Sequence, residues 1–309
     1  LILPENLSFD RNISFVKEYH IHQAAVYALE QGPTSETFFS AGSDRKVILW
    51  NIETDEHKVV AQIPAMIVSL CYLPKQNYLL VGQTGGGIHV LDLSEKKEMK
   101  LLSAHKAYIF DIKYNKDTRQ FYVASGDGSI SIWNAENFEL LHQVKLTEEK
   151  IRQLTFSTER NELAAGCGDG NVVLLNLSDY RIKQTLENES GVNSLLYINF
   201  NQHLLVGLKE AHLVEWDLMM YQKVNEFPAH NWAVYSLMQQ QNSPYIISAS
   251  RDKTIKVWDA ATLKPLQRIQ RPTSNGHTHS VNALLPLAES NYVISTGDDR
   301  RVKVWQLNN

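Results

Sequence analysis

His230, Ser248 and Asp252 are the residue types of a nucleophilic hydrolase: a hydroxyl to attack, an imidazole to take its proton and a carboxylate to orient the imidazole. The same set recurs elsewhere in the 309-residue chain, as His22, Ser40 and Asp44 and as His277, Ser295 and Asp299. A fourth copy has His105 and Asp127, but Val123 stands where the hydroxyl should be, with Ser125 two residues on as the alternative. Each copy also carries a tryptophan 28 residues after the histidine and six after the aspartate: Trp50, Trp133, Trp258 and Trp305. A catalytic nucleophile is needed once, in an accessible site with an oxyanion hole. A set repeated in register, with an indole N–H as its fourth member, reads instead as a hydrogen-bonded structural unit. Substitution of Asp252 should then destabilise the chain rather than inactivate it.

Other candidate chemistries fall away on the same kind of argument. Gly85-Gly86-Gly87 and Gly166-Cys167-Gly168-Asp169-Gly170 could cradle phosphate only with a helix N-terminus immediately after, and strand-like sequence follows both. They read as tight turns. His277 and His279 have spacing that could hold a metal from a strand, yet no third ligand is evident and His277 already belongs to the repeated set. No catalytic, cofactor or metal residue is expected.

The elements that position the repeated set are short apolar, β-branched runs. Val234–Leu237, Tyr245–Ala249, Thr254–Trp258 and Leu266–Ile269 are separated by polar or proline-containing breaks, the pattern of a four-stranded antiparallel meander. The residues closing the third strand of each unit are Trp50, Leu91, Trp133, Leu175, Trp216, Trp258 and Trp305, with gaps of 41, 42, 42, 41, 42 and 47. Seven copies of one unit therefore fill the chain as a single domain. The surplus in the last gap falls in Arg268–Gly276, a polar, turn-rich excursion. Three units lack the full set. They carry Pro64, Gly85 and Leu91; Thr147, Asp169 and Leu175; and Asn188, Glu210 and Trp216 at the histidine, aspartate and tryptophan positions. Apolar packing must hold those units.

With histidine, hydroxyl, aspartate and Trp-Asp or Trp-Asn in register, the chain resembles the WD40 repeat family over essentially all of its length. The resemblance implies an all-β fold, a seven-bladed β-propeller of four-stranded antiparallel blades around a central channel. It also implies a closing device. After Trp305 only Gln306-Leu307-Asn308-Asn309 remain, so the seventh unit lacks a fourth strand, while residues 13–19 form a spare strand before His22. Pairing the two would close the ring and hide an open edge.

Family resemblance also implies that partners dock on the face carrying the histidine and aspartate loops, through residues flanking the first-strand valine or isoleucine and the residue before the turn aspartate. Carried over, these positions include Tyr27, Tyr108, Phe110 and Tyr235, with Trp232 adjacent, and in the second unit Ile67 and Ser69. Lys150, Arg152, Lys209 and Arg251 form a basic arc over units four to six. Aromatic anchors beside arginines suit an acidic or phosphorylated peptide. The expectation is a non-enzymatic scaffold for a protein or peptide partner, a monomeric propeller working within larger complexes. The alternatives are an enzyme or small-ligand binder using the central channel, and nucleic-acid binding along the basic arc. Asp111 and Arg152 are the charges visible on the innermost strands, and on adjacent units they suggest an ion pair.

Composition agrees with these expectations. A formal net charge of -4 gives no basis for binding nucleic acid or an acidic membrane through overall charge. No apolar run approaches the roughly 18 residues of a membrane span. Cys71 and Cys167, the two cysteines, are expected to be buried thiols of a reducing compartment, cytoplasmic or nuclear.

Overall fold

A computed structural model describes residues 12–198, 200, 202–240 and 243–308. Among these, the chain forms seven four-stranded antiparallel sheets arranged as the blades of a propeller, and no helix is long and apolar enough to cross a membrane. Blade 1, for instance, is built from Val26–Gln31, Thr37–Gly42, Lys46–Asn51 and His57–Gln62 in spatial order. Six of the blades are local meanders of four consecutive strands, which is why the period of the sequence maps so directly onto the fold.

The core lies between blades rather than within them. Seven apolar clusters form, one at each interface between neighbouring blades. Where a tetrad is missing, these clusters carry the packing; Leu91 of blade 2 and Leu175 of blade 4 sit buried where other blades place tryptophan. Such burial stabilises by about 1.5 to 3 kcal/mol per large aliphatic side chain.

Blade 7 takes its outer strand from the other end of the chain. Ile13–Tyr19 pairs antiparallel with Val302–Leu307. Side chains clasp the seam: Glu18 pairs with Arg301 at 2.9 Å and with Lys303 at 2.6 Å, and Phe15 packs edge-on against Trp305. Gln267 of blade 6 bonds both the N–H and the carbonyl of Ile13 at 2.9 Å. Tyr19 stacks on Trp50 at 4.6 Å, so the strand also reaches blade 1. Glu18 is held near 2: burial would raise its carboxyl, and hydrogen bonds from Lys303, His20 and Arg301 overcome that effect.

Candidate functional site

The first strand of every blade faces the channel, and each has a bulge after its opening residue. Register with the second strand slips between Val26 and Ala28, Ile67 and Ser69, Ile109 and Asp111, Ile151 and Gln153, Val192 and Ser194, Val234 and Ser236, and Val281 and Ala283. A bulge re-aims the extra side chain. Here the extra residues are Tyr27, Val68, Phe110, Arg152, Asn193, Tyr235 and Asn282, and all seven line one cavity of about 480 Å³. In blade 2 the register is therefore one residue off the sequence expectation: Ile67 is the buried opening residue, and Val68 faces the channel.

Hydrogen bonds between inner strands stitch the blades together just beneath this ring. Asp111 accepts from the Leu154 N–H at 2.9 Å, Gln153 from the Leu195 N–H at 2.6 Å, and Asn282 donates to the Val26 carbonyl at 3.0 Å. These bonds tie the inner strands of neighbouring blades to one another.

Among the aromatic and basic residues singled out from sequence, Tyr27, Tyr108, Phe110, Arg152 and Tyr235 meet at the channel cavity. The Arg152 guanidinium lies 4.9 Å from the Phe110 ring centroid on blade 3 and 5.8 Å from Tyr235 on blade 6. Tyr108 meets Phe110 edge-on at 5.5 Å and is 43% exposed. Burial pulls the Arg152 pKa below that of a free guanidinium, yet an arginine stays charged. Its position excludes the expected ion pair. Asp111 instead approaches Lys113 at 3.3 Å, and Arg152 has no carboxylate partner among the described residues.

Lys150, Lys209, Trp232 and Arg251 stay outside the cavity, exposed on the surrounding rim. Arg251 lies over the Trp232 ring at 5.1 Å, and Trp232 is 59% exposed, so these two form a second aromatic-basic pair.

Two further charges reach the channel from beyond the bulges. Glu30 and Lys113 face the cavity a few positions further along their strands. Glu30 is enclosed by protein although water reaches part of it. Burial pushes its carboxyl up to about 7, against the opposing pull of Lys113 and the Tyr72 N–H.

The repeated sets form closed hydrogen-bond chains. In blade 6 the Trp258 indole N–H donates to Ser248 Oγ at 2.8 Å; Ser248 meets His230 Nε2 at 2.7 Å, and His230 Nδ1 meets Asp252 at 3.1 Å. Blade 1 repeats this through Trp50, Ser40, His22 and Asp44, and blade 7 through Trp305, Ser295, His277 and Asp299. Because the indole can only donate, the serine hydroxyl turns its proton to Nε2 and the imidazole donates from Nδ1 to the carboxylate. Ser40, Ser248 and Ser295 are 0% exposed, so each hydroxyl, already engaged as donor and as acceptor, is unreachable from solvent.

In blade 3 the hydroxyl comes from neither candidate. Ser131, directly across from Val123, meets both Trp133 Nε1 and His105 Nε2 at 2.7 Å, while Ser125 accepts the Asp127 N–H. Blade 5 shortens the chain, with Trp216 donating to Asn188 at 3.0 Å. In blade 4, Thr147 donates to Asp169 at 2.6 Å. His279 bonds Thr278, and both ring nitrogens of His277 are already engaged.

Burial keeps the His105, His230 and His277 rings below their ordinary 6.5 despite the carboxylates beside them. Asp127 and Asp299 sit near 2. Burial would raise them, but bonds from Ser129 and the Lys106 N–H, and from His277 and the Thr278 N–H, outweigh it. The pairs are accordingly neutral imidazole with ionised carboxylate at neutral pH.

These features define a WD40 propeller. The chain matches the WD domain, G-beta repeat family over residues 13–51, 221–259 and 268–306, and the NUP159/214 beta propeller family over residues 45–210, more than half of its length. It belongs to the WD40 repeat family of β-propellers. The WD40 β-propeller domain of Doa1 superposes with a TM-score of 0.84 over 96% of this chain and 97% of that one, at 16% identity, which speaks to fold alone.

Relatives are diverse. The chain is similar to eukaryotic translation initiation factor 3 subunit I of Brugia malayi, 26% identical over 55% of this chain and 57% of that protein. It is also similar to THO complex subunit 3 of Arabidopsis thaliana, 21% identical over 82% of each. A third relative is the guanine nucleotide-binding protein subunit beta of Solanum tuberosum, 23% identical over 58% of this chain and 50% of that protein. The match with the translation-factor subunits spans a little over half of their length.

Proposed function

We propose that this propeller is a non-enzymatic scaffold that docks an acidic or phosphorylated peptide segment across its channel mouth. The observation that carries this reading is Arg152, a charged guanidinium set between Phe110 and Tyr235 with no carboxylate partner among the described residues. A half-buried cation without an anion gains from a carboxylate or phosphoryl oxygen, and the exposed Tyr108 offers an aromatic anchor beside it. Lys150, Lys209 and the Arg251–Trp232 pair extend the same chemistry outward along the rim. Relatives named as subunits of a translation initiation factor and of the THO complex support a role within assemblies, in cytoplasm or nucleus.

Glu30 favours a second reading, a small-ligand pocket in the channel, because a carboxyl pushed up to about 7 can exchange a proton near neutrality. Identification of proteins co-purifying with the wild-type chain and with Tyr108→Ala and Arg152→Glu separates the two. Loss of the recovered partners in those variants supports docking at the mouth. Unchanged recovery and affinity would remove it.

A further inference from the structure

The 47-residue gap before Trp305 holds the surplus that no other blade has, and it forms a hydrogen-bonded loop. The Ser274 N–H donates to the Gln270 carbonyl at 2.9 Å, Arg271 Nε to the Gly276 carbonyl at 3.1 Å, and Lys303 Nζ to the Asn275 carbonyl at 2.9 Å. A side chain at Gly276 would meet the Gln270 backbone at 2.7 Å, so the loop folds back on itself too closely for any other residue. Between this loop, the end of the outer strand of blade 6 and the Asp252 turn lies a cleft of about 300 Å³.

Lys253 from the turn, Arg268 from the outer strand and Arg271 from the loop line that cleft, and all three are exposed. Carboxylates of this sector are committed elsewhere: Asp252 to His230, Asp299 to His277, and Glu18 to Arg301 and Lys303. Asp252 is a wall of the cleft, but its oxygens face inward, accepting from the Asn231 N–H and from Thr254 as well. Lys253 and Arg268 have no carboxylate partner among the described residues, and Arg271 spends one donor on the loop. The neighbouring Lys256 is held below its ordinary pKa by burial and then by Arg268, against the opposing pull of Asp252.

We infer that this cleft between blades 6 and 7 is a phosphoryl-group site, in which Lys253, Arg268 and Arg271 receive a phosphorylated side chain of a partner protein. Three cations from three separate elements exceed what one carboxylate can satisfy, whereas a phosphate monoester brings close to two charges and three acceptor oxygens. A compact group fits better than an extended polyanion or an anionic bilayer, either of which would also meet the rest of a chain whose net charge is -4. This site is separate from the channel mouth and does not depend on docking there.

The test is retention of the whole chain on an immobilised degenerate library of phosphoserine-centred peptides and on its unphosphorylated counterpart. At least roughly tenfold preference for the phosphorylated library is expected, competed by inorganic phosphate, and lost in Arg268→Ala/Arg271→Ala and in Lys253→Glu. Equal retention on both libraries overturns the inference. So does retention by an Arg268→Ala/Arg271→Ala variant with an unchanged melting transition, or a loss seen only in Arg152→Ala, which would place binding at the channel. Retention by phosphoinositide vesicles or RNA in place of phosphopeptide would overturn the assignment of the partner.

Discussion

The Arg152 guanidinium rests 4.9 Å from the ring of Phe110 on the neighbouring blade, at the channel mouth. Stacking of this kind contributes roughly 0.5 to 2 kcal/mol and holds a long side chain in one place without an acid. Arg152→Lys keeps the charge but not the planar fork. We expect it to bind an acidic peptide recovered by co-purification about tenfold more weakly than wild type, with Arg152→Ala weaker still, as read by titration calorimetry.

Ser131 completes the blade 3 chain that Val123 leaves open. Ser131→Ala should lower stability by about 1 to 3 kcal/mol, comparable to Ser248→Ala in blade 6, because His105 and Trp133 would each lose a buried partner. Asp252→Ala should cost a similar amount. Denaturant melts of the three variants check this, and unchanged midpoints would show that these chains do not hold the blades.

Acid should unfold the protein in two stages. His105, His230 and His277 bind protons less readily folded than unfolded, so stability falls as pH drops through about 6.5. Asp127 and Asp299 contribute stability that is intact above their ordinary 3.8 and lost as pH falls towards about 2. Melting temperatures from pH 8 to pH 3 should show a shallow decline followed by a steeper one.

Glu30 has the opposite sign. Its raised pKa means the folded chain keeps a proton that the unfolded chain has released, so its contribution turns unfavourable as pH rises from 4.5 through about 7. Glu30→Gln should therefore stabilise by on the order of 1 kcal/mol at pH 8 and by little at pH 4. Paired melts at the two pH values decide it.

Removal of residues 1–19 strips Glu18 from the buried Lys303, Phe15 from Trp305 and Tyr19 from Trp50. An uncompensated buried charge alone costs about 3 to 5 kcal/mol. The shortened chain should aggregate or lose its cooperative transition, whereas a melt like that of the full chain would mean the ring closes without that strand. Residues 1–11 lie outside the described part of the structure.

The seven-fold period, the strand runs and the four tetrad anchors were legible because the first three strands of every blade are consecutive in the chain. Spacing along the chain is then spacing in the blade, and His230, Ser248, Asp252 and Trp258 sit together for that reason. The missing blade 3 hydroxyl was not legible from a fixed offset. Val123 and Ser131 are opposite one another on paired strands, so a hydroxyl on either reaches the same point, and only the pairing reveals it. The candidate site depended on tertiary structure still more. Which first-strand residue turns into the channel is set by a bulge in each blade, and the meeting of Phe110, Arg152 and Tyr235 requires blades 3, 4 and 6 to face one another across a closed ring. Glu30 and Lys113 converge on the same cavity from blades that are far apart in sequence. Local order decided the blades; ring closure decided what the channel mouth presents.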